Sequence, residues 1–371
     1  MKVAIVAPSL SGGGAEFVAL QWARHLAASG FEVTVVTTSK SKNDYSAEGF
    51  FVAEYQGSTR LLGMMGLTFY LNRLCRDRRV DSIISLMPYW NLSSLMAGIL
   101  ARLSGRTIRV VISEHNIHAI LGKILGRSFI VQRWLAFVLY RFCSQAIAVS
   151  HPVAAELVSF YRLPAERVWV VPNPVLGSQE VRGARRSNID ASMPAEATSR
   201  LCVVFSARLV EQKRPLLAVD VVAKLRDLGW ADAELLIFGD GPLLAKLRKR
   251  ADVLGVNLRH ESWTDDWTDH CPPNSVFLLT SISEGFGNVL VDAANAAIPS
   301  VVSSKCLGAA DACLPGVTAT LTTGDSIVDY ANAVSKSLVL PHTDVKPWLE
   351  RFTRESAGAI VISVLLEGCP K

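Results

Sequence analysis

Short runs of β-branched and other apolar residues alternate with segments of helical period along almost the whole chain, and this alternation limits the fold more than any other feature. The runs at 3–7, 33–37, 83–86, 108–113, 146–149 and 168–171 read as strands, with helices between them near 15–28, 94–103 and 153–161. Strands that are apolar on both faces and separated by crossover helices make a parallel sheet covered on each side. The fold class is therefore α/β, doubly wound. After the turn at Pro172, Asn173 and Pro174, residues 177–200 are polar, rich in Ser, Ala and Arg, and without period, which marks a linker. A second series then begins, with strands at 201–206, 234–238, 256–259, 276–280 and 300–303 and helices near 215–228, 243–254 and 287–297. The expected organisation is a first domain over 1–176, the linker over 177–200, a second domain over 201–350, and a C-terminal helix over 351–371 that is a candidate to pack back on the first domain, the whole of 347–364 reading as helical. A chain of 371 residues is long enough for two such cores.

Composition narrows the function classes. Half of the residues are hydrophobic, 19% are charged and the mean hydropathy is +0.29, apolar for a water-soluble chain yet far from a membrane-embedded one. The one candidate span, 83–101, is interrupted by Pro88, Asn91, Ser93 and Ser94, and reads as a buried strand, a loop and a core helix. Seven scattered cysteines include no C-x-x-C pair, which fits a reduced cytoplasm and offers no zinc site; no metal-ligand cluster is visible either. A net charge of +5 without a basic-aromatic stripe points away from nucleic acid. The first apolar run ends at Pro8, too short for a signal peptide.

Chemistry concentrates at strand ends. Arg208 and Lys213 leave the second domain's first strand just before a helix, where cations and unpaired N–H groups together attract a diphosphate; taken alone, a solvated basic loop would read the same way. Gly239, Gly241 and Pro242 form a tight turn after the next strand, with Pro242 read at the first position of the helix that follows. The stretch Glu284, Gly285, Phe286, Gly287, Asn288, Val289 puts a carboxylate beside glycines at a helix mouth, with Asp292 two turns along on the same side. A carboxylate suits sugar hydroxyls and exposed N–H groups suit phosphate.

Together these motifs resemble the retaining glycosyltransferases of family 4, over nearly the whole chain. The family's G-R-L-x-x-x-K stretch is matched by Ala207, Arg208, Leu209 and Lys213, its F-G-x-G-P by 238–242, and its E-G-F-G-x-x-x-x-E by 284–292. The resemblance implies the GT-B fold, two Rossmann-like domains facing a central cleft, and transfer of a hexosyl or N-acetylhexosaminyl residue from a nucleoside diphosphate sugar, with UDP favoured. It assigns Arg208 and Lys213 to the diphosphate, Glu284 to the donor sugar and Asp292 to the ribose, with Gly239, Gly241, Pro242, Gly285, Phe286, Gly287, Asn288 and Val289 around the donor. Two departures stand out: Asp292 replaces a Glu, and the family's Gly-Gly-x-x-Glu element is Leu307, Gly308, Ala309, Ala310, Asp311.

In the first domain, Gly13 and Gly14 lie in a loop that resembles the family's G-G-A-E and would approach the donor phosphates, with Glu16 toward the acceptor. The strand at 108–113 delivers Glu114, His115 and Asn116; the resemblance puts His115 at the reaction centre, for hydrogen bonding or proton handling, and Glu114 and Asn116 near the acceptor. Residues 117–142 mix apolar side chains with Lys123, Arg127 and Arg133 and contain no acid, as an interfacial helix at an anionic membrane would. A basic face for a lipid pyrophosphate or a plain core helix fits the same pattern. The expected acceptor is a hydroxyl of a polyprenyl-diphosphate-linked saccharide, met at the inner face of the cell membrane, with no metal or other cofactor. A GT-B sugar-nucleotide epimerase or hydrolase, or a non-catalytic nucleotide-sugar binder, would share the donor motifs.

Overall fold

A computed structural model describes residues 1–10, 12–40, 45–58, 63–121, 126–182, 201–341 and 343–367, without the side chains of 46, 121 and 126–128. The chain forms two compact units, Met1–Ser178 together with Arg351–Lys371, and Gln179–Glu350.

The first unit runs β1 (Lys2–Ala7), α1 (Gly14–Ala28), β2 (Glu32–Thr37), β3 (Phe51–Glu54), α2 (Met64–Asp77), β4 (Ser82–Leu86), α3 (Pro88–Leu103), β5 (Arg109–Glu114), α4 (His118–Leu121), α5 (Gly126–Leu139), β6 (Gln145–Ala148), α6 (His151–Ser159) and β7 (Val168–Val170). Among the described residues its strands form one parallel sheet in the order β3-β2-β1-β4-β5-β6-β7. Every residue of β1 except Lys2 is buried, as a strand covered on both faces requires. The order reverses between β1 and β4, which is where a doubly wound sheet opens a crevice at its carboxyl edge. The stretch at 83–101 holds a strand and a helix as expected, but no loop: Pro88 takes the first turn of α3, where its fixed φ and missing N–H cost nothing, and Met87 alone separates the two.

The second unit repeats the plan with β8 (Cys202–Ser206), α7 (Pro215–Asp227), β9 (Glu234–Phe238), α8 (Leu244–Leu254), β10 (Asn257–Glu261), β11 (Ser275–Leu279), α9 (Asn288–Asn295), β12 (Ser300–Val302), β13 (Ala319–Leu321), α10 (Ile327–Ser337) and α11 (Lys346–Leu349). Its described strands form a parallel sheet in the order β10-β9-β8-β11-β12-β13, so the reversal falls between β8 and β11. The start of the linker is tied to this unit: Asn295 accepts from the Arg182 N–H at 2.8 Å and donates to the Glu180 carbonyl at 2.9 Å.

The apolar C-terminal stretch is not one helix. It breaks into α11, a 3-10 turn at Glu350–Phe352, and α12 (Arg354–Leu366), which Thr353 opens by accepting from the Ser356 N–H at 3.2 Å. Ala357, Val361, Val364 and Leu365 of α12 join Trp22 and Leu26 of α1 in the core of the first unit. Arg109 donates to the Leu365 carbonyl at 2.7 Å, satisfying an acceptor left open where the helix ends. The six described cysteines are free, and no helix among the described residues is long and apolar enough to cross a membrane.

Candidate donor and acceptor sites

The second unit builds its site on the β8–β11 reversal. Residues 207–209 continue β8 as an extended arm beside the turn that follows β9: the Ala207 N–H donates to the Phe238 carbonyl at 3.1 Å and the Leu209 N–H to the Asp240 carbonyl at 2.9 Å. Gly239 and Gly241 make that approach possible, because a Cβ on either would strike the backbone of Ala207 or Leu209. The backbone of the arm takes up the space beside both glycines. Arg208 itself is exposed. Pro242 is exposed in the turn rather than at the first helical position, since α8 begins two residues later at Leu244.

Lys213 and Glu284 come together: Nζ and Oε1 are 2.5 Å apart, and both side chains are largely buried. Ser281 donates to the same carboxylate oxygen at 2.6 Å. Neighbouring bonds fasten the two loops, with the Ile282 N–H donating to the Gln212 carbonyl and the Gln212 amide to the Ser283 carbonyl, each at 2.9 Å. Gly287, at φ +97°, opens α9 in a left-handed conformation that glycine adopts without strain, leaving Asn288 and Val289 half-buried in the first turn. Gly285 and Phe286 are buried. Gly308 lies against the backbone of Glu284 and Gly285, where any Cβ would collide. The altered Leu307–Asp311 loop thus keeps the one glycine on which the Glu284 backbone rests.

Asp292 sits in the middle of α9 beside Trp267. Burial pushes its carboxyl up to about 7, Asp265 and Glu180 push in the same direction, and the Trp267 indole opposes them.

In the first unit, Gly13 is the N-cap of α1 and Glu16 folds back over it, so this carboxylate faces its own helix N-terminus, where negative charge is favoured. Gly14 is exposed at the start of the helix. At the end of β5 the structure separates three residues read as one polar cluster. Asn116 is half-buried. His115 is 8% exposed, 3.0 Å from Ser113 Oγ through Nε2, with its ring near Trp22. Burial lowers its pKa to about 4 against the pull of Glu114, so the ring is neutral near pH 7 and hydrogen bonding is the role left to it.

Glu114 corrects the sequence reading, for it is 1% exposed and faces the interior. Its Oε1 accepts from Asn91 at 2.8 Å and from the Tyr140 hydroxyl, and its Oε2 lies 2.8 Å from His118 Nε2. Burial draws the His118 pKa down, but the carboxylates of Glu114 and Glu156 outweigh it and hold the pKa above the ordinary value. Glu156 caps α4, accepting from the N–H groups of His118 and Ala119 at 2.7 Å each. The carboxylate assigned to an acceptor instead ties β5 to α3 and α4 through Asn91 and His118.

Arg133 is also redirected. Its guanidinium stacks over the Phe160 ring at 4.1 Å, so it covers apolar surface inside the unit. Among the described side chains of α5 the exposed ones are apolar, Ile130, Val131, Trp134, Leu135 and Val138, and exposed Arg141 and Phe142 follow the helix. Lys123 and the Arg127 side chain lie outside the described residues. Gln212, Ser281 and Ser113 were missed: Gln212 meets Ser283 from 71 positions away, while Ser281 and Ser113 touch Glu284 and His115 three and two positions on, in contacts that no motif marks.

Two Rossmann-like units with these parallel sheets are the architecture of GT-B glycosyltransferases. Family profiles agree: residues 12–175 match Glycosyltransferase Family 4 and residues 200–339 match Glycosyl transferases group 1. The chain belongs to the family 4 glycosyltransferases. Among curated relatives it is 24% identical over 318 residues, 84% of this chain and 81% of the relative, to the GalNAc-alpha-(1->4)-GalNAc-alpha-(1->3)-diNAcBac-PP-undecaprenol alpha-1,4-N-acetyl-D-galactosaminyltransferase of Campylobacter jejuni. It is 21% identical over 268 residues, 70% of this chain and 67% of the relative, to the UDP-Gal:alpha-D-GlcNAc-diphosphoundecaprenol alpha-1,3-galactosyltransferase of Escherichia coli. Solved structures of similar fold include the lipopolysaccharide outer core galactosyltransferase WaaB, 19% identical with a TM-score of 0.74 over 100% of both chains. HepE from Anabaena, solved in complex with UDP-glucose, is 18% identical with a TM-score of 0.75 over 98% of this chain and 99% of its own.

Proposed function

We propose that this glycosyltransferase moves a hexosyl or N-acetylhexosaminyl residue from a UDP-sugar to a hydroxyl of a polyprenyl-diphosphate-linked saccharide, with retention at the anomeric carbon. The observation that carries the reading is the arrangement at the β8–β11 reversal: Lys213 held 2.5 Å from Glu284, with Arg208 exposed on the neighbouring arm. Two cations at the carboxyl edge of a parallel sheet stabilise the charge that builds on a departing diphosphate, without a metal or other cofactor. Glu284 accepts from hydroxyls of the donor sugar, Asp292 serves the ribose, and the leaving diphosphate assists removal of the acceptor proton on the same face. Neutral His115 orients a hydroxyl by hydrogen bonding, from the unit that takes the acceptor. The acceptor class is supported by the two relatives whose names specify undecaprenol-linked substrates. The exposed apolar face of α5 supports peripheral attachment at the inner face of the membrane, where such acceptors are anchored.

The test offers the purified protein UDP- and GDP-sugars with a polyprenyl-diphosphate-linked saccharide, beside Arg208→Ala. Transfer is expected to fall by about 100-fold in the variant, as loss of one transition-state donor does elsewhere. Unchanged turnover removes Arg208 from the mechanism. Flotation with anionic liposomes is expected to weaken in Trp134→Asp, and undiminished binding rejects α5 as the contact.

A further inference from the structure

Beside the Lys213–Glu284 pair lies a second ion pair that none of the donor motifs includes. Arg214, directly after Lys213, has φ +50°, a left-handed conformation uncommon outside glycine. Its side chain is held on several sides. Its guanidinium donates from Nη1 and Nη2 to both carboxylate oxygens of Asp325 at 3.0 and 2.9 Å, from Nη2 to the Tyr330 hydroxyl at 2.8 Å, and from Nε to the Thr280 carbonyl at 2.5 Å. Tyr330 in turn donates to Asp325 at 3.1 Å, and Lys305 lies 3.7 Å from the same carboxylate. Such a bidentate fork fixes an arginine in direction as well as distance.

The clamp reaches Lys213 through the backbone. The Thr280 hydroxyl lies 2.6 Å from the Lys213 carbonyl and 3.1 Å from that of Arg214, so the end of β11 holds both peptide oxygens while the Arg214 fork holds the end of β11. Residues from three places in the second unit, the start of α7, the end of β11 and the start of α10, thereby set where the Lys213 side chain departs. None of Arg214, Asp325, Thr280 and Tyr330 belongs to the set assigned to the donor.

We propose that the Arg214–Asp325 clamp, acting with Thr280, is a positioning device that fixes Lys213 for the donor diphosphate. The proposal rests on the donor reading above. It requires that loosening the clamp weaken recognition of the second phosphate and leave the rest of the nucleotide largely unaffected. Loss of mere structural support would weaken every nucleotide alike.

Titration calorimetry with UDP and with UMP, or with GDP and GMP if the wild type prefers guanine, tests this on the full chain. Asp325→Asn and Thr280→Val open the clamp by independent routes, so one remains informative if the other fails to fold. Each is expected to lower diphosphate affinity about 10-fold and monophosphate affinity less than two-fold, and Thr280→Ser, which keeps the hydroxyl, is expected to restore the wild-type ratio. A folded variant with unchanged diphosphate affinity, or with both affinities falling in step, overturns the proposal. Lys213→Ala separates the two readings: if it too leaves diphosphate affinity unchanged, or if the wild type binds no nucleotide, the donor reading fails and the clamp proposal with it. If Lys213→Ala weakens binding and the clamp variants do not, the clamp proposal alone fails.

Discussion

Gly308 leaves no room for a side chain, because a Cβ there would enter the backbone of Glu284 and Gly285. Gly308→Ala is therefore expected to displace Glu284, lowering stability by about 1–3 kcal/mol as overpacking does and transfer by at least about 10-fold. Thermal melting and turnover check it, and a variant like the wild type in both shows that the loop yields freely. Asp292 gives a second test through pH. With its carboxyl raised to about 7, its folded-state preference for the proton contributes stability that is full below the unfolded value near 4 and is lost as pH rises through 7. Ionisation also creates the acceptor for ribose hydroxyls, so nucleotide affinity is expected to rise with pH through about 7 more steeply in the wild type than in Asp292→Asn; identical profiles reject it. His115 has the opposite sign. Its pKa is lowered to about 4, so its contribution is full above the unfolded value near 6.5 and fades as pH falls through 4. His115→Gln is expected to flatten that acid limb and to retain more activity than His115→Ala, as a hydrogen-bonding rather than a protonating role requires; equal losses in the two variants contradict that role.

At the scale of elements, periodicity located strands that are buried on both faces, because nothing else places such short β-branched runs between helices. It was less able to locate elements whose residues are partly exposed. The short edge strand β3 has only Ala53 buried, and α2 presents Met65 and Phe69 to solvent, so neither was foreseen. In α5 the sequence showed cations among apolar residues and left their direction open; in the structure Arg133 turns to Phe160 and the apolar residues face outward. The C-terminal segment was read as one helix because its apolar content continues through the break at Glu350–Phe352. What makes α12 start afresh is Thr353, and Thr353→Ala is expected to lower stability by about 1 kcal/mol, measured as a shift in the denaturant midpoint. No shift would mean that the packing of Val361 and Val364 in the core holds the helix without its cap.

Across the whole molecule, the same physical plan appears twice: a parallel sheet, a reversal of strand order, and candidate site residues on the loops at the carboxyl edge. This much was legible because motif order follows strand order, so Arg208, Lys213 and Glu284 could be assigned to one edge before any distance was known. The supports of those residues were not legible, since Thr280 and Asp325 lie 66 and 111 positions from Arg214 along the chain. Glu114 was misplaced for a related reason: its partners Asn91, His118 and Tyr140 are assembled by packing, and a carboxylate at a strand end reads the same whether it faces solvent or core. The central claim, that this donor constellation serves glycosyl transfer, is tested most directly by the release of UDP or GDP from a nucleotide sugar with and without a polyprenyl-diphosphate-linked saccharide. The account predicts release that depends on the acceptor and matches product mole for mole. Equal release in the absence of acceptor, or nucleotide binding with no release under either condition, would contradict it.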